Sequence, residues 1–280
     1  MSPKQAKRWG RFDVVVPGVE PAPCPSMRVF RWVWMCWVVG WFVRWFYYLN
    51  VYKIHHAYPM SHPSITGWQA DPNVMLGAMV LPAFLSVGML RITRARMLVV
   101  SILSLACSTV LLNHIVTFND ATYVSSFWVS VWMVWMAWNC ERQDPQLIQE
   151  SKRLSLMVVS LMFLGGFMGK LTPAYWSGEM YSQFPLIREA LSPQWLTSYL
   201  STAQHHQVFV WASRLTVIME GCTALLCLAP FRVAAPLMAL AMFSIMAGMT
   251  FYLICVFSCL IGLIVAHTMW RAPSLVAEAP

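Results

Sequence analysis

The chain has 280 residues, of which 59% are hydrophobic and only 11% charged, with a formal net charge of +8. A water-soluble core of ordinary size cannot hide that much apolar surface, and several apolar runs approach the twenty or so residues that cross a bilayer as helix, so the composition excludes a soluble enzyme and reads as an all-α polytopic membrane bundle. The basic excess gathers at the ends of apolar runs, which suits anionic lipid headgroups and gives no ground for a nucleic-acid partner.

Residues 1–27 form a basic, Pro-rich arm with Lys4, Lys7, Arg8 and Arg11, then Pro17, Pro21, Pro23 and Pro25. It has no apolar centre and no small-residue cleavage site, so it does not read as a secretory signal peptide. A solvated tail, a lipid-binding arm, an uncleaved address and a strap along a neighbouring subunit all fit it.

Apolar runs then follow at about 29–49, 74–90, 97–118, 123–138, 154–170 and 208–229, and a long one covers 233–267. The last is too long for one straight span at about 1.5 Å per residue, and Gly248-Met249-Thr250 is its only turn-like point. Eight spans over 28–270 are therefore expected, seven if that turn is absent, with 271–280 as a tail. Many of the 15 tryptophans fall near run ends (Trp32, Trp45, Trp128, Trp138, Trp211, Trp270), as expected of an interfacial belt.

With this span order the basic residues fall on one face: the N-terminal arm, Arg28 and Arg31, then Arg91, Arg94 and Arg96, then Arg142, Lys152 and Arg153, and later Arg232 and Arg271. The opposite loops carry only Lys53 and Arg188, so the N-terminus is expected on the matrix or cytoplasmic side. Arg28, Arg31, Arg91, Arg94, Arg96, Lys152 and Arg153 are the candidate contacts for anionic phospholipid headgroups. The two larger outside segments, 50–73 and 171–207, are rich in aromatics and prolines, which suggests packed loops. No Asn-x-Ser/Thr acceptor occurs in the chain, a feature of loops that meet no glycosylating lumen.

The 8 cysteines lie mostly inside apolar runs without a CxxC pair, and the His55-His56 and His205-His206 dipeptides point their rings in different directions without a spaced third ligand. Neither a disulfide framework nor a metal site is expected. Ionisable residues inside spans are costly and are functional candidates by default: Arg44, Lys170, Arg214 and Glu220. Arg214 and Glu220 are too far round one helix to meet, so each is expected to pair across helices, Glu220 with Lys170 or Arg44. Gly165 and Gly169, spaced as a small-residue face, are expected to let a neighbouring helix approach closely.

Leu112-Asn113-His114 before an aromatic span, and an apolar helix ending Gly169-Lys170-Leu171 with Trp176-Ser177-Gly178 beyond it, resemble the horizontally transferred transmembrane domain that also forms the membrane part of vitamin K-dependent gamma-glutamyl carboxylases. The likeness covers roughly residues 28–270. It implies that Lys170 corresponds to the base for hydroquinone oxygenation and His114 to an assisting site histidine, and a desolvated lysine is physically a competent base near neutrality. The late F-H-x-x-N pattern of those carboxylases is matched only by Phe243-Ser244-Ile245-Met246-Ala247, with both polar groups gone. No large lumenal domain follows the last span of this sequence, so peptide carboxylation is not expected. The expectation is a degenerate member: a non-catalytic accessory subunit of a large energy-transducing membrane complex, respiratory in type, binding phospholipid such as cardiolipin in the mitochondrial inner membrane, with a bacterial inner membrane as the alternative location. The competing expectation is a quinone- or lipid-linked membrane enzyme using Lys170 and His114.

Overall fold

The computed structural model describes residues 25–57, 67–88, 93–113, 121–140, 145–183, 191, 199–248 and 252–268. The helices are α1 (Pro25–Ala57), α2 (Pro72–Gly88), α3 (Arg94–Asn113), α4 (Ala121–Asn139), α5 (Pro145–Gly169), the short α6 (Pro173–Trp176) and α7 (Glu179–Gln183), then α8 (Thr202–Leu226), α9 (Phe231–Gly248) and α10 (Tyr252–Thr268), with one 3-10 turn at Gly67–Ala70. No strand occurs among the described residues.

Three helices are long and apolar enough to cross a membrane: Ala95–Asn113, Gln146–Gly169 and Thr202–Leu226. Shorter apolar helical stretches cover Pro72–Pro82, Phe231–Ser244 and Ser258–Thr268. The chain is thus a helical membrane protein with three such helices among the described residues, where the sequence leads one to expect eight spans. The expected turn at Gly248-Met249-Thr250 runs into residues 249–251, which lie outside the described residues; α9 is described to Gly248 and α10 from Tyr252. Three boundaries differ from the apolar runs: α1 continues to Ala57, into the segment 50–73 read as an outside loop. Helix α5 starts at Pro145, because Glu150, Lys152 and Arg153 form a charged first stretch of the same helix, and α8 starts at Thr202, inside the segment read as an outside loop. There the Ser201 hydroxyl accepts from the Gln204 backbone N–H while the Gln204 side chain accepts from the Ser201 N–H, a reciprocal cap that begins the helix earlier than hydropathy indicates.

Two seams hold the bundle. In the first, α1 lies along α10. Trp34, Trp37 and Trp41 make one buried stripe on α1 with successive ring centroids 5.1 and 5.5 Å apart. Trp37 and Trp132 are fully buried, so part of the tryptophan content is core filler; of the expected belt residues, Trp32, Trp138 and Trp211 are exposed and Trp128 packs against the core. At Gly262 of α10 an added Cβ would sit 2.6 Å from the Cys36 Cβ, so the two helices meet through that glycine. In the second seam α3 lies against α4 through small hydroxyl side chains. Ser101, Ser104 and Ser108 of α3 and Ser126 and Ser130 of α4 are fully buried, and the Ser108 and Ser130 hydroxyls bond at 3.2 Å. Serine is small enough for close approach and satisfies its hydroxyl locally, as Ser101 does on the Met97 carbonyl.

Gly262→Ala is expected to destabilise the protein by about 1–3 kcal/mol, the usual cost of forcing a methyl into a filled contact. Thermal unfolding in detergent measures this, and a Tm equal to wild type would mean that α1 and α10 separate freely.

Candidate functional site

Helices α5 and α8 run antiparallel, since Ser160 of α5 donates to the Ala224 carbonyl of α8 while Gly166, further along α5, lies against Glu220, earlier on α8. At that level the Lys170 ammonium donates to both carboxylate oxygens of Glu220, at 2.6 and 2.7 Å. The Lys170 side chain is 23% exposed and that of Glu220 11%. Of the two cross-helix partners expected for Glu220, the structure has Lys170. The glycine behind the pair is Gly166: a Cβ there would come within 2.9 Å of Glu220 Oε2, whereas Gly165 and Gly169 face open space. The expected Gly165/Gly169 approach face is therefore misplaced by one helical position, because the group needing room is a carboxylate and not a neighbouring backbone. At the next residue of each helix, Gly221 leaves space for the Phe167 ring.

Helix α5 ends at Gly169, and α8 continues past it toward its own N-terminus, leaving a ridge that segment 173–183 covers. Gly178 makes this docking feasible. Its φ of +77° is the left-handed turn glycine favours, and a Cβ would lie 2.6 Å from the Val210 backbone nitrogen. Three side chains of α8 bond to the segment: Ser213 Oγ donates to the Tyr175 carbonyl at 2.6 Å, Arg214 Nε to the Trp176 carbonyl at 3.0 Å, and Thr216 Oγ1 accepts from the Tyr181 hydroxyl at 2.7 Å. Burial first, and then the nearby Glu220 charge, push the Tyr181 phenol up to about 12 against the opposing Thr216 hydrogen bond, so it stays protonated and keeps donating. Arg214, expected to pair across helices, takes a backbone carbonyl instead of an acid, and its guanidinium lies 5.8 Å from the Trp176 ring centroid and 5.9 Å from that of Trp211. The Trp176-Ser177-Gly178 triplet thus has a packing role.

Of the other expected site residues, those described do not join this cluster. His114 and Arg91 lie outside the described residues, as do the side chains of Arg44 and Arg94. Arg28, Arg31, Arg96 and Arg153 are exposed, whereas Lys152 places its ammonium 5.1 Å from the Phe231 ring centroid. Ser244, which stands where the carboxylase pattern has a histidine, donates to the Leu240 carbonyl of its own helix at 2.9 Å. Among the described residues no three metal-ligating side chains converge.

A second polar cluster escaped the sequence reading. His267, 1% exposed near the end of α10, has Nδ1 2.6 Å from the Leu263 carbonyl and Nε2 2.7 Å from the Ser151 hydroxyl of α5. A carbonyl only accepts, so Nδ1 carries the hydrogen and Ser151 donates to Nε2. Trp132 and Phe231 stand edge-on to the ring at 6.0 Å each. The arrangement has the form of a nucleophile and its base, but Ser151 is fully buried, and what the bond does in the fold is tether α10 to α5. The signal in the sequence was a lone polar ring closing an otherwise apolar run.

No family model, curated protein or solved structure matches this chain.

Lys170→Met or Glu220→Leu alone is expected to cost about 3 kcal/mol, because each strands a half-buried charge, while the double substitution costs less than either single one. Detergent unfolding of the three variants checks this; additive losses would show that the pair is not coupled. Ser151→Ala is expected to cost about 1–3 kcal/mol through the orphaned His267 nitrogen, measured the same way, and an unchanged Tm would remove the tether.

Proposed function

We propose that this protein is a non-catalytic accessory subunit of a large energy-transducing membrane complex, an eight-span bundle that fills space between neighbours and holds anionic phospholipid. The observation that carries the non-catalytic part is the Lys170–Glu220 pair, with the ammonium on both carboxylate oxygens at 2.6 and 2.7 Å. To serve as a base, Lys170 would have to leave that pair, lose its proton and strand a carboxylate 11% exposed between two apolar helices. Beside the pair, segment 173–183 adds hydrogen bonds linking α8 to Tyr175 and Tyr181 and an edge-on contact between those two rings, which support the pair as a packed junction.

The exposed Arg28, Arg31, Arg96 and Arg153 suit headgroups such as cardiolipin on the matrix or cytoplasmic side, and the mitochondrial inner membrane is the location in keeping with that chemistry. Their long side chains reach a charged surface at little cost to the helices that carry them.

Gentle detergent extraction, native-gel separation and mass spectrometry of the co-migrating chains test this reading. Stoichiometric co-migration with respiratory core subunits is expected, and it should persist in Lys170→Met/Glu220→Leu, which keeps the packing without the charges. A discrete small species would instead favour the quinone- or lipid-linked enzyme built on Lys170 and His114.

A further inference from the structure

Arg214 is held at a definite level of the bundle. Its Nε donates to the carbonyl of Trp176, the last residue of α6, in the segment of short helices and turns that follows the end of α5. Helix ends and turns leave carbonyls without an intrahelical partner, which lipid-exposed backbone in the hydrocarbon does not tolerate, so Arg214 is read as lying at headgroup depth at the Lys170 end of the bundle. The exposed rings of Trp176 and Trp211 flank it, as amphipathic rings do at that depth. Only one arm of the guanidinium fork is used: its two terminal nitrogens meet no acceptor among the described residues. A planar fork with free donors is the geometry that grips a phosphate.

What lies beneath it is apolar and uncovered. From Trp211 toward the centre of the bundle, Leu215, Ile218, Cys222 and Leu225 recur at helical spacing on α8; the leucines and the isoleucine are 57, 51 and 66% exposed in chain order, and Cys222 is exposed as well. From Arg214 to Leu225 the helix rises about 16 Å, close to half of a hydrocarbon core about 30 Å thick, which is the reach of one acyl chain in one leaflet. A shallow, mostly apolar groove of about 590 Å³ continues the stripe toward the start of α8, between Leu200 and Leu215 and past Trp211, with Gln204 and Gln207 at its edge.

We propose that Arg214 and the Trp211–Leu215–Ile218–Leu225 stripe seat an anionic phospholipid, its phosphate on the free arms of the guanidinium and one acyl chain along the stripe. This site lies at the opposite end of the bundle from the basic residues assigned to headgroups above. It rests on the membrane-spanning reading of α8 and not on membership of a complex. A zwitterionic lipid fits less well, since its own ammonium competes for the phosphate.

Native mass spectrometry of the full chain, purified in detergent with equal phosphatidylglycerol and phosphatidylcholine, tests the proposal. Wild type is expected to retain phosphatidylglycerol about tenfold better, and Arg214→Gln to lose about that factor, the order of one charge-assisted hydrogen bond; Arg232→Gln, at the other end of the bundle, should keep it. Ile218→Ser leaves the Arg214–Trp176 bond in place and is expected to weaken retention severalfold, so the site is read even if Arg214→Gln fails to fold. Equal retention of the two lipids by wild type, or phosphatidylglycerol binding unchanged in both Arg214→Gln and Ile218→Ser, overturns the proposal. Excess inorganic phosphate is expected to leave the bound lipid in place, and its displacement of the lipid would mean a free-anion site instead. None of these outcomes depends on what co-migrates in a native gel, so this site and the accessory role stand or fall separately.

Discussion

A carboxylate inside an apolar helix pair has to be neutralised where it stands, and the geometry at the Lys170 end of the bundle follows from that one constraint. Glu220 is fixed on α8 by its sequence position, and the nearest ammonium is the one that closes α5. The pair needs the space over Gly166, which sets how closely the two helices approach, and it needs α5 to stop where Lys170 can turn back across the interface. Once α5 stops there, α8 protrudes, and its polar side chains Ser213, Arg214 and Thr216 face neighbours that cannot be another long helix. Segment 173–183 meets them with two backbone carbonyls and a phenol, and Gly178 lets that segment come into backbone contact. A functional-looking run of residues is in this way accounted for by the cost of burying charge and leaving hydrogen bonds unmade.

Elsewhere the bundle avoids charge and uses two other devices for close packing. Along α1 and α10, large rings fill the gap and Gly262 admits Cys36; along α3 and α4, serines do what glycines do in other membrane helices, Ser101 bonding its hydroxyl to the previous turn and Ser108 and Ser130 bonding each other, while the buried Ser104 and Ser126 hydroxyls have no such bond. The His267–Ser151 bond is a third, single device, and it ties α10 to the same helix that carries Lys170. Helix α5 is therefore the shared element, bonded through Ser151 near its start, Ser160 in its middle and Lys170 just past its end.

This division of roles bears on the carboxylase resemblance. The lysine that the resemblance singles out is present, but its ammonium donates to the Glu220 carboxylate; where the carboxylase pattern has a late-span histidine stands Ser244, which donates to its own helix. The Lys170–Glu220 pair joins α5 to α8, which gives the conspicuous lysine an architectural role.

Hydropathy and charge by themselves determined the class of the protein, the places of the long helices and the short list containing Lys170, Arg214 and Glu220, because transfer into lipid is a sum over residues along one segment and needs no partner. The start of α8 was missed since a cap is a local hydrogen-bond event invisible to hydropathy, and His267 was missed since one polar ring hardly changes the mean of an apolar run. Which charges meet, which glycine makes room and which tryptophans are core were decided only by tertiary structure. Those depend on the rotation and offset of two helices, and a shift of one residue along α5, about 100° around its axis, is what separates Gly165, which faces open space, from Gly166, which lies on the carboxylate.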